Sequence, residues 1–228
     1  MCIRDRTCTD ATYVTTTAVD GTFSLAIDED ATSRLIAEGG FNSETSDLVP
    51  FQLSLAEAVT DQNVVISPLS TLLDKDTRFS FDLLKQKLGL IDGFMIRFDD
   101  PYLSINDAAS NEAAVKNVQL LMMYETLSEL QTQAGVSNLT AVATVNDAIF
   151  NRDASTETSL GDTTLVRNVL LNLDLADYTV TNTQLENLSG SFSSFLQKVY
   201  VDSNNEQAYF SMTARDYVTP LLKGILDD

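Results

Sequence analysis

The chain has 228 residues, 44% of them hydrophobic, and its 33 acidic and 14 basic side chains give a net charge of −19 at pH 7. This length and apolar content suffice for one well-buried core with a small appended unit. The acidic excess repels nucleic-acid phosphates, so we expect no nucleic-acid partner. No apolar run reaches the roughly 18 residues of a membrane-spanning helix, so we expect a soluble chain with no membrane-spanning segment.

The residue types that are missing exclude several kinds of chemistry. The sequence has no His, and its two cysteines are Cys2 and Cys8. Without histidine there is no Ser-His-Asp or Cys-His nucleophile system and no HExxH zinc site, and two thiols cannot supply the four ligands of structural zinc. Neither GxGxxG nor GxxxxGK occurs. The sequence therefore predicts no catalytic residue and no nucleotide cofactor, although a carboxylate-only carbohydrate hydrolase stays open.

Residues 1–6, Met-Cys-Ile-Arg-Asp-Arg, resemble a translated sequencing adapter, the mosaic end of transposase-based libraries. An exported protein should begin with a charged segment followed by an apolar one, and neither is present. We therefore interpret residues 1–6 as an artefact and expect the natural start to be missing. The remaining chain divides into a β-rich segment with a linker, residues 7–63, and a helical domain, residues 64–228.

The first elements in chain order have β character. Residues 13–27 are rich in Thr, Val and Phe and are interrupted by a turn signal at 19–22, which predicts a hairpin with Phe23, Leu25 and Ile27 on one face. Residues 28–63 predict loops with one or two short strands, one of them near 51–55.

Helical signals begin at Ser67, a favoured N-cap residue that is followed by Pro68 in the first turn. A helix through Phe79 and Leu88 should end at Gly89, which suits a left-handed cap. The run from 108 to 133 carries apolar residues on most faces and predicts the central, most buried helix. Its segment 120–124, Leu-Leu-Met-Met-Tyr, could line a hydrophobic ligand groove, but Met and Leu on such a helix are ordinarily core.

Further helices are predicted at 138–150, 162–173 and 182–201 from apolar residues at helical spacing. A last helix should run from about Asn205 and break before Pro220, since proline removes a backbone donor. The fold class expected is mainly α: a multi-helix domain preceded by a short β-rich segment, the remnant of a β-sandwich module.

One loop has the spacing of a calcium site. Asn151, Asp153, Ser155 and Asp162 stand at positions 1, 3, 5 and 12 of an EF-hand-like loop between two predicted helices. Thr156 replaces the glycine of the sharp turn, and Asp162 replaces the bidentate glutamate. An ordinary polar loop, with Asp162 near a helix start, is the favoured interpretation, and calcium is the one cofactor retained.

Two patterns resemble known families. A Gly-Gly-Phe at 39–41, the strand-like 50–55, the Val-Val-Ile-Ser-Pro-Leu-Ser-Thr-Leu-Leu run at 64–73 and the Leu-Gly-Leu at 88–90 are similar to segments of large bacterial surface and adhesin-like proteins. Upstream, residues 16–25 are similar to the last strands of carboxypeptidase-regulatory-like modules, which are small β-sandwiches. The resemblance implies an extracellular or cell-surface location, with cell-surface or extracellular matrix components as partners.

These observations together favour a non-enzymatic structural or interaction module of a secreted or cell-surface bacterial protein. A calcium-binding surface module is the alternative, and a carboxylate-based carbohydrate hydrolase fragment comes third.

Overall fold

The part of the chain that the structure describes is mainly helical, as the sequence predicts. This structure, a computed structural model, describes residues 2–4, 13–18, 21–26, 33–39, 51–58, 63–100, 107–137, 139–153, 159–176, 179–202 and 207–209. Within those ranges the chain forms six helices and six short strands. The strands lie before the first helix and after the last.

The helices follow the predicted positions closely. Ser67 is the N-cap of the first helix, and Gly89, with φ +68°, ends the second in the left-handed conformation. In the described ranges no helix combines the length and the apolar character needed to cross a membrane. Their bounds are α1 Pro68–Lys75, α2 Phe81–Leu88, α3 Ala108–Gln133, α4 Ala141–Phe150, α5 Thr163–Asn172 and α6 Asn182–Leu196.

Helix α3 is the centre of the hydrophobic core. Leu120, Met123 and Tyr124 are fully buried, and Met122 is 1% exposed, so the segment predicted as core is core. The same apolar cluster includes side chains from all six helices and from Phe51, which precedes the helical region. Packing therefore crosses the predicted domain boundary at residue 64.

Four short strands form a sheet beside the helices. They are β1 Cys2–Arg4, β2 Val14–Thr15, β3 Ser33–Glu38 and β4 Leu53–Ala58, in the order β2-β1-β3-β4. Strand β1 is parallel to both of its neighbours, and β4 is antiparallel to β3 with Ile36 opposite Ser54. The sequence predicts one or two short strands within residues 28–63, and β3 and β4 lie there. The residues interpreted as an adapter include β1.

Helix α1 lies along β4 and is bonded to it through hydroxyl groups. Thr71 Oγ1 accepts a hydrogen bond from the backbone N–H of Ser54 at 2.9 Å, and Ser70 Oγ donates to the carbonyl oxygen of Ser54 at 3.0 Å. A second link joins β3 to α1, since Arg34 Nε lies 2.8 Å from the buried carboxylate of Asp74. These bonds fix α1 against the sheet.

The hairpin prediction for residues 13–27 is partly wrong. The turn exists, because the N–H of Ala18 donates to the carbonyl of Thr22, and Gly21 has φ +80°. Residues 22–26 form no strand, however, and β2 pairs with β1. Phe23 and Leu25 share one face, as expected, and pack as half-buried side chains on the cluster of Leu35 and Leu55. Side-chain packing holds this segment without ladder pairing; Ile27 lies outside the described residues.

Helix α6 is shorter than the sequence predicts. Helix α6 ends at Leu196, and Tyr200–Asp202 forms strand β5, which pairs antiparallel with β6, Gln207–Tyr209. The Val-Tyr-Val sequence at 199–201 favours a strand, because β-branched and aromatic side chains fit a pleated surface. The helix predicted from Asn205 is therefore wrong at 207–209; the rest of it, with Pro220, lies outside the described residues.

Candidate functional site

An open groove of about 600 Å³ runs between the C-terminal end of α1 and helix α4. We refer to it as the α4 groove. One wall consists of Leu139 and the first two turns of α4. The base includes Phe51 and Gln52, just before β4, and Ser128 of α3. It is lined by Phe51, Gln52, Lys75, Asp76, Arg78, Ser128, Leu139, Ala141, Val142, Ala143, Asn146 and Asp147.

The base of the α4 groove is rigidly held. The Phe51 ring makes an edge contact with the ring of Tyr124, with centroids 5.4 Å apart. The Tyr124 hydroxyl donates to Asn146 Oδ1 at 3.1 Å, and burial raises the pKa of this phenol. Tyr124 therefore stays neutral and keeps the Asn146 side chain in a fixed position below the groove.

One rim of the groove is a compact group of charges around Arg78. Its guanidinium donates to both carboxylate oxygens of Asp76, at 2.8 and 2.5 Å, and also pairs with Asp147. The ring of Phe150 lies 4.4 Å from the guanidinium carbon. The hydrogen bonds from Arg78 lower the pKa of Asp76, and those to Asp76 and Asp147 raise the pKa of Arg78. Asp76 and Arg78 are therefore both charged at neutral pH, and Arg78 is the shared partner of the two carboxylates.

This charge group does not fit carbohydrate hydrolysis. A glycosidase needs one carboxyl group with a raised pKa to protonate the leaving oxygen, with free space for the sugar between the two acids. Here Arg78 occupies the space between Asp76 and Asp147, and the pKa of Asp76 is lowered. The arrangement instead holds α1 and α4 together.

Within the described residues, only some of the N–H groups in the first turn of α4 have an acceptor. Its N-cap residue, Thr140, makes no side-chain capping bond. Gln131 of α3 supplies an acceptor in its place: its Oε1 accepts from the N–H groups of Thr140 and Ala141, both at 2.9 Å. Among the described residues, the N–H groups of Val142 and Ala143 have no acceptor. Both residues line the α4 groove.

Two further donors line the same groove. Ser128 is 1% exposed and lies one turn before Gln131 on the same side of α3, and its Oγ has no hydrogen-bond partner in the described part of the chain. Lys75 is exposed at the end of α1, and its ammonium has no carboxylate partner within the described ranges. Donors without acceptors therefore converge on the groove.

The predicted calcium ligands lie at the opposite end of α4. Asn151 is the C-cap residue of α4, Asp153 follows it, and Ser155 lies outside the described residues. Asp162 is the N-cap of α5: its Oδ1 accepts from the N–H groups of Thr164 and Leu165, at 2.8 and 3.0 Å.

Cationic side chains also surround this loop. The Arg152 guanidinium lies 3.3 Å from Asp162 Oδ1, and the Lys87 ammonium donates to the Arg152 carbonyl oxygen. No group of three or more His, Cys, Asp or Glu side chains suited to a metal ion occurs in the described ranges. The calcium loop stays a prediction; a melting midpoint unchanged by millimolar calcium would contradict it, because an ion bound to the native state must raise that midpoint.

The sequence interpretation missed the α4 groove. Leu139, Val142, Asn146 and their neighbours have the three- and four-residue spacing of one helix face, but that spacing alone predicts a core-facing helix. Ser128 is a weak signal, as a small polar residue within the apolar run of α3.

No protein-family model, curated protein or solved structure matches the chain.

Proposed function

We propose that the chain is a non-enzymatic interaction module of a secreted or cell-surface bacterial protein, and that it binds its partner in the α4 groove. The partner class is a cell-surface or extracellular matrix component. The location follows the resemblance of residues 39–90 to segments of adhesin-like proteins.

The observation that carries the proposal is the combination of a rigid apolar base with unpartnered donors. Phe51 and Leu139 offer apolar surface, and Ser128 and the first turn of α4 offer N–H and O–H groups. Ligand sites are typically concave and apolar, with a few convergent polar groups that fix orientation. Among the described residues of the rim, only Asp76 and Arg78 have shifted pKa values. These shifts keep both side chains charged, as partners in one ion pair.

An array of extracellular matrix proteins and cell-surface glycans tests this function. Ala143 is exposed on α4, so the Ala143→Trp variant should fill the groove without disturbing the core. Thr164→Trp is the matched control, because Thr164 is equally exposed in the first turn of α5 and lies outside the groove. Binding that Ala143→Trp abolishes and Thr164→Trp retains supports the proposal. Binding that survives Ala143→Trp, or no binding to any component, contradicts it.

A further inference from the structure

We infer that the α4 groove recognises a carboxylate group on an apolar body, with the carboxylate seated on the first turn of α4. This inference rests on the proposed function and specifies the chemistry of the ligand. It depends on four features: free backbone donors, a buried hydroxyl, an unpaired ammonium and an apolar base.

The backbone donors come first. The N–H groups at the start of a helix have no partner within the helix, and the helix dipole places positive potential there. Anions bind at such ends through both effects. In α4, Gln131 satisfies Thr140 and Ala141, which leaves Val142 and Ala143 as donors without an acceptor in the described residues. Two adjacent N–H groups match the two oxygens of a carboxylate.

The buried hydroxyl of Ser128 points independently to a ligand. A buried polar group without a hydrogen bond costs about 1–3 kcal/mol. Ser128 Oγ is such a group within the described ranges, and it lines the groove that contains the first turn of α4. A ligand oxygen that accepts its O–H would remove this cost, and no side chain or backbone group of the described residues does so.

The groove also offers one cation to a bound anion, the ammonium of Lys75. The Arg78 guanidinium is shared by Asp76 and Asp147, so these three groups contribute no available cation. Lys75 remains as the unpaired cation of the lining within the described part of the chain. The four charged side chains of the lining sum to zero, so Lys75 is a local cation in a neutral groove on a chain of net charge −19. At 0.15 M salt the Debye length is about 8 Å, so repulsion from distant acidic groups is largely screened.

The apolar base distinguishes an organic carboxylate from a free inorganic anion. Phe51, Leu139 and Val142 line the space beside the donors, and a phosphate ion would leave this surface exposed to water. An apolar group attached to the carboxylate would cover it. A small organic acid and the free C-terminus of a peptide with an apolar last residue share this chemistry.

A titration of the ¹⁵N-labelled full chain tests the inference. The probes are N-acetylphenylalanine, its carboxamide, inorganic phosphate, and an acetylated tetrapeptide that ends in phenylalanine. We expect N-acetylphenylalanine to move the amide proton resonances of Val142 and Ala143 downfield in a saturable manner, and the carboxamide to leave them unchanged. A tetrapeptide that binds more tightly than N-acetylphenylalanine assigns the carboxylate to a peptide terminus, and equal affinity assigns it to a small acid.

Variants with matched controls measure how much each side-chain donor contributes to binding. Ser128→Ala and Lys75→Gln should each weaken binding of N-acetylphenylalanine about tenfold, the loss expected for one hydrogen bond to a charged group. Thr126→Val is the control for Ser128→Ala, because Thr126 Oγ1 is also buried on α3 with no partner among the described residues but does not line the groove. It should leave the affinity unchanged.

Three results would overturn the inference. These are no saturable shift at Val142 and Ala143, equal binding of the acid and its carboxamide, and phosphate binding as tight as that of N-acetylphenylalanine. Equal binding of the acid and carboxamide that Ala143→Trp abolishes would leave the interaction module intact and remove only the carboxylate. Loss of all groove-dependent binding would remove both.

Discussion

The N–H groups in the first turns of α1 and α4 have different hydrogen-bond partners. At α1 every N–H group of the first turn is engaged: Ser67 and Ser70 exchange the two bonds of a capping box, Leu69 donates to Asn117 Oδ1, and Thr71 donates to the carbonyl of Ser67. At α4 a single side chain from another helix serves two N–H groups, and the next two remain free in the described residues.

The difference separates a structural helix start from one that is available to a ligand. The first turn of α1 is buried against β4, where an unsatisfied donor would cost stability. The first turn of α4 faces an open groove, where water can hydrate its donors and a ligand can replace that water. Substitutions at these two helix starts and at the residues around them test this contrast.

Gln131→Leu should have the largest effect. Gln131 is fully buried, its Oε1 serves two N–H groups, and its Nε2 donates to Thr140 Oγ1 and to the carbonyl of Asp174. Leucine leaves several of these groups buried without partners, so we expect a loss of about 3 kcal/mol or more in the free energy of unfolding. Urea denaturation measures it, and a loss below that of Ser67→Ala would contradict the role given to Gln131.

Thr71→Val should cost about 2 kcal/mol, because valine keeps the shape but removes the acceptor of the buried Ser54 N–H. Thr126→Val is the matched control, since Thr126 Oγ1 has no partner in the described part of the chain. We expect the control to be neutral or slightly stabilising in the same denaturation experiment. Equal losses in the two variants would show that the bond to Ser54 contributes nothing.

Ser67→Ala should cost about 1 kcal/mol, the usual loss for an N-cap serine. The side chain of Ser67 accepts from the N–H of Ser70 at 3.2 Å, and alanine cannot. Ser67→Asp keeps an acceptor and should recover most of the loss. A shift in the thermal midpoint for alanine but not for aspartate would confirm that capping, rather than side-chain volume, is responsible.

Ser128→Ala should stabilise the free protein by up to about 1 kcal/mol, because it removes a buried hydroxyl that has no partner among the described residues. The change in stability is expected to have the opposite sign to that of Ser67→Ala. Ser67 caps a helix, whereas the Ser128 hydroxyl has no acceptor in the described residues. A clear loss of stability in urea would show that Ser128 has a structural role.

The smallest effect concerns pH. The folded pKa of Asp76 lies below its unfolded value of about 3.9, so its pairing with Arg78 stabilises the fold above that pH. The contribution is lost as pH falls through the folded pKa. Arg78→Gln should therefore melt below the wild type at pH 7, and the difference should shrink at pH 3. A difference that is constant with pH would contradict the pairing.

The sequence predicts the α1 helix start because its signals are local: the N-cap serine and the proline are adjacent residues. It predicts the α3 core because the apolar pattern is long. It does not predict the α4 groove, because the groove depends on contacts distant in sequence, such as Thr140 with Gln131 and Phe51 with Tyr124. It also extends α6 too far, since apolar periodicity hides the change to β preference at Val199.

The hydroxyl contacts between α1 and β4 also affect whether two molecules can pair through the edge of this sheet. β4 is the last strand of its sheet in the described chain, and the exposed row of N–H and C=O groups on such a strand can recruit a strand from another molecule. Ser70 and Thr71 occupy both backbone groups of Ser54, so that position is closed to edge-to-edge aggregation. The cover does not depend on the Thr71 hydroxyl alone, because Ser54 is fully buried and the bond from Ser70 remains when Thr71 is replaced.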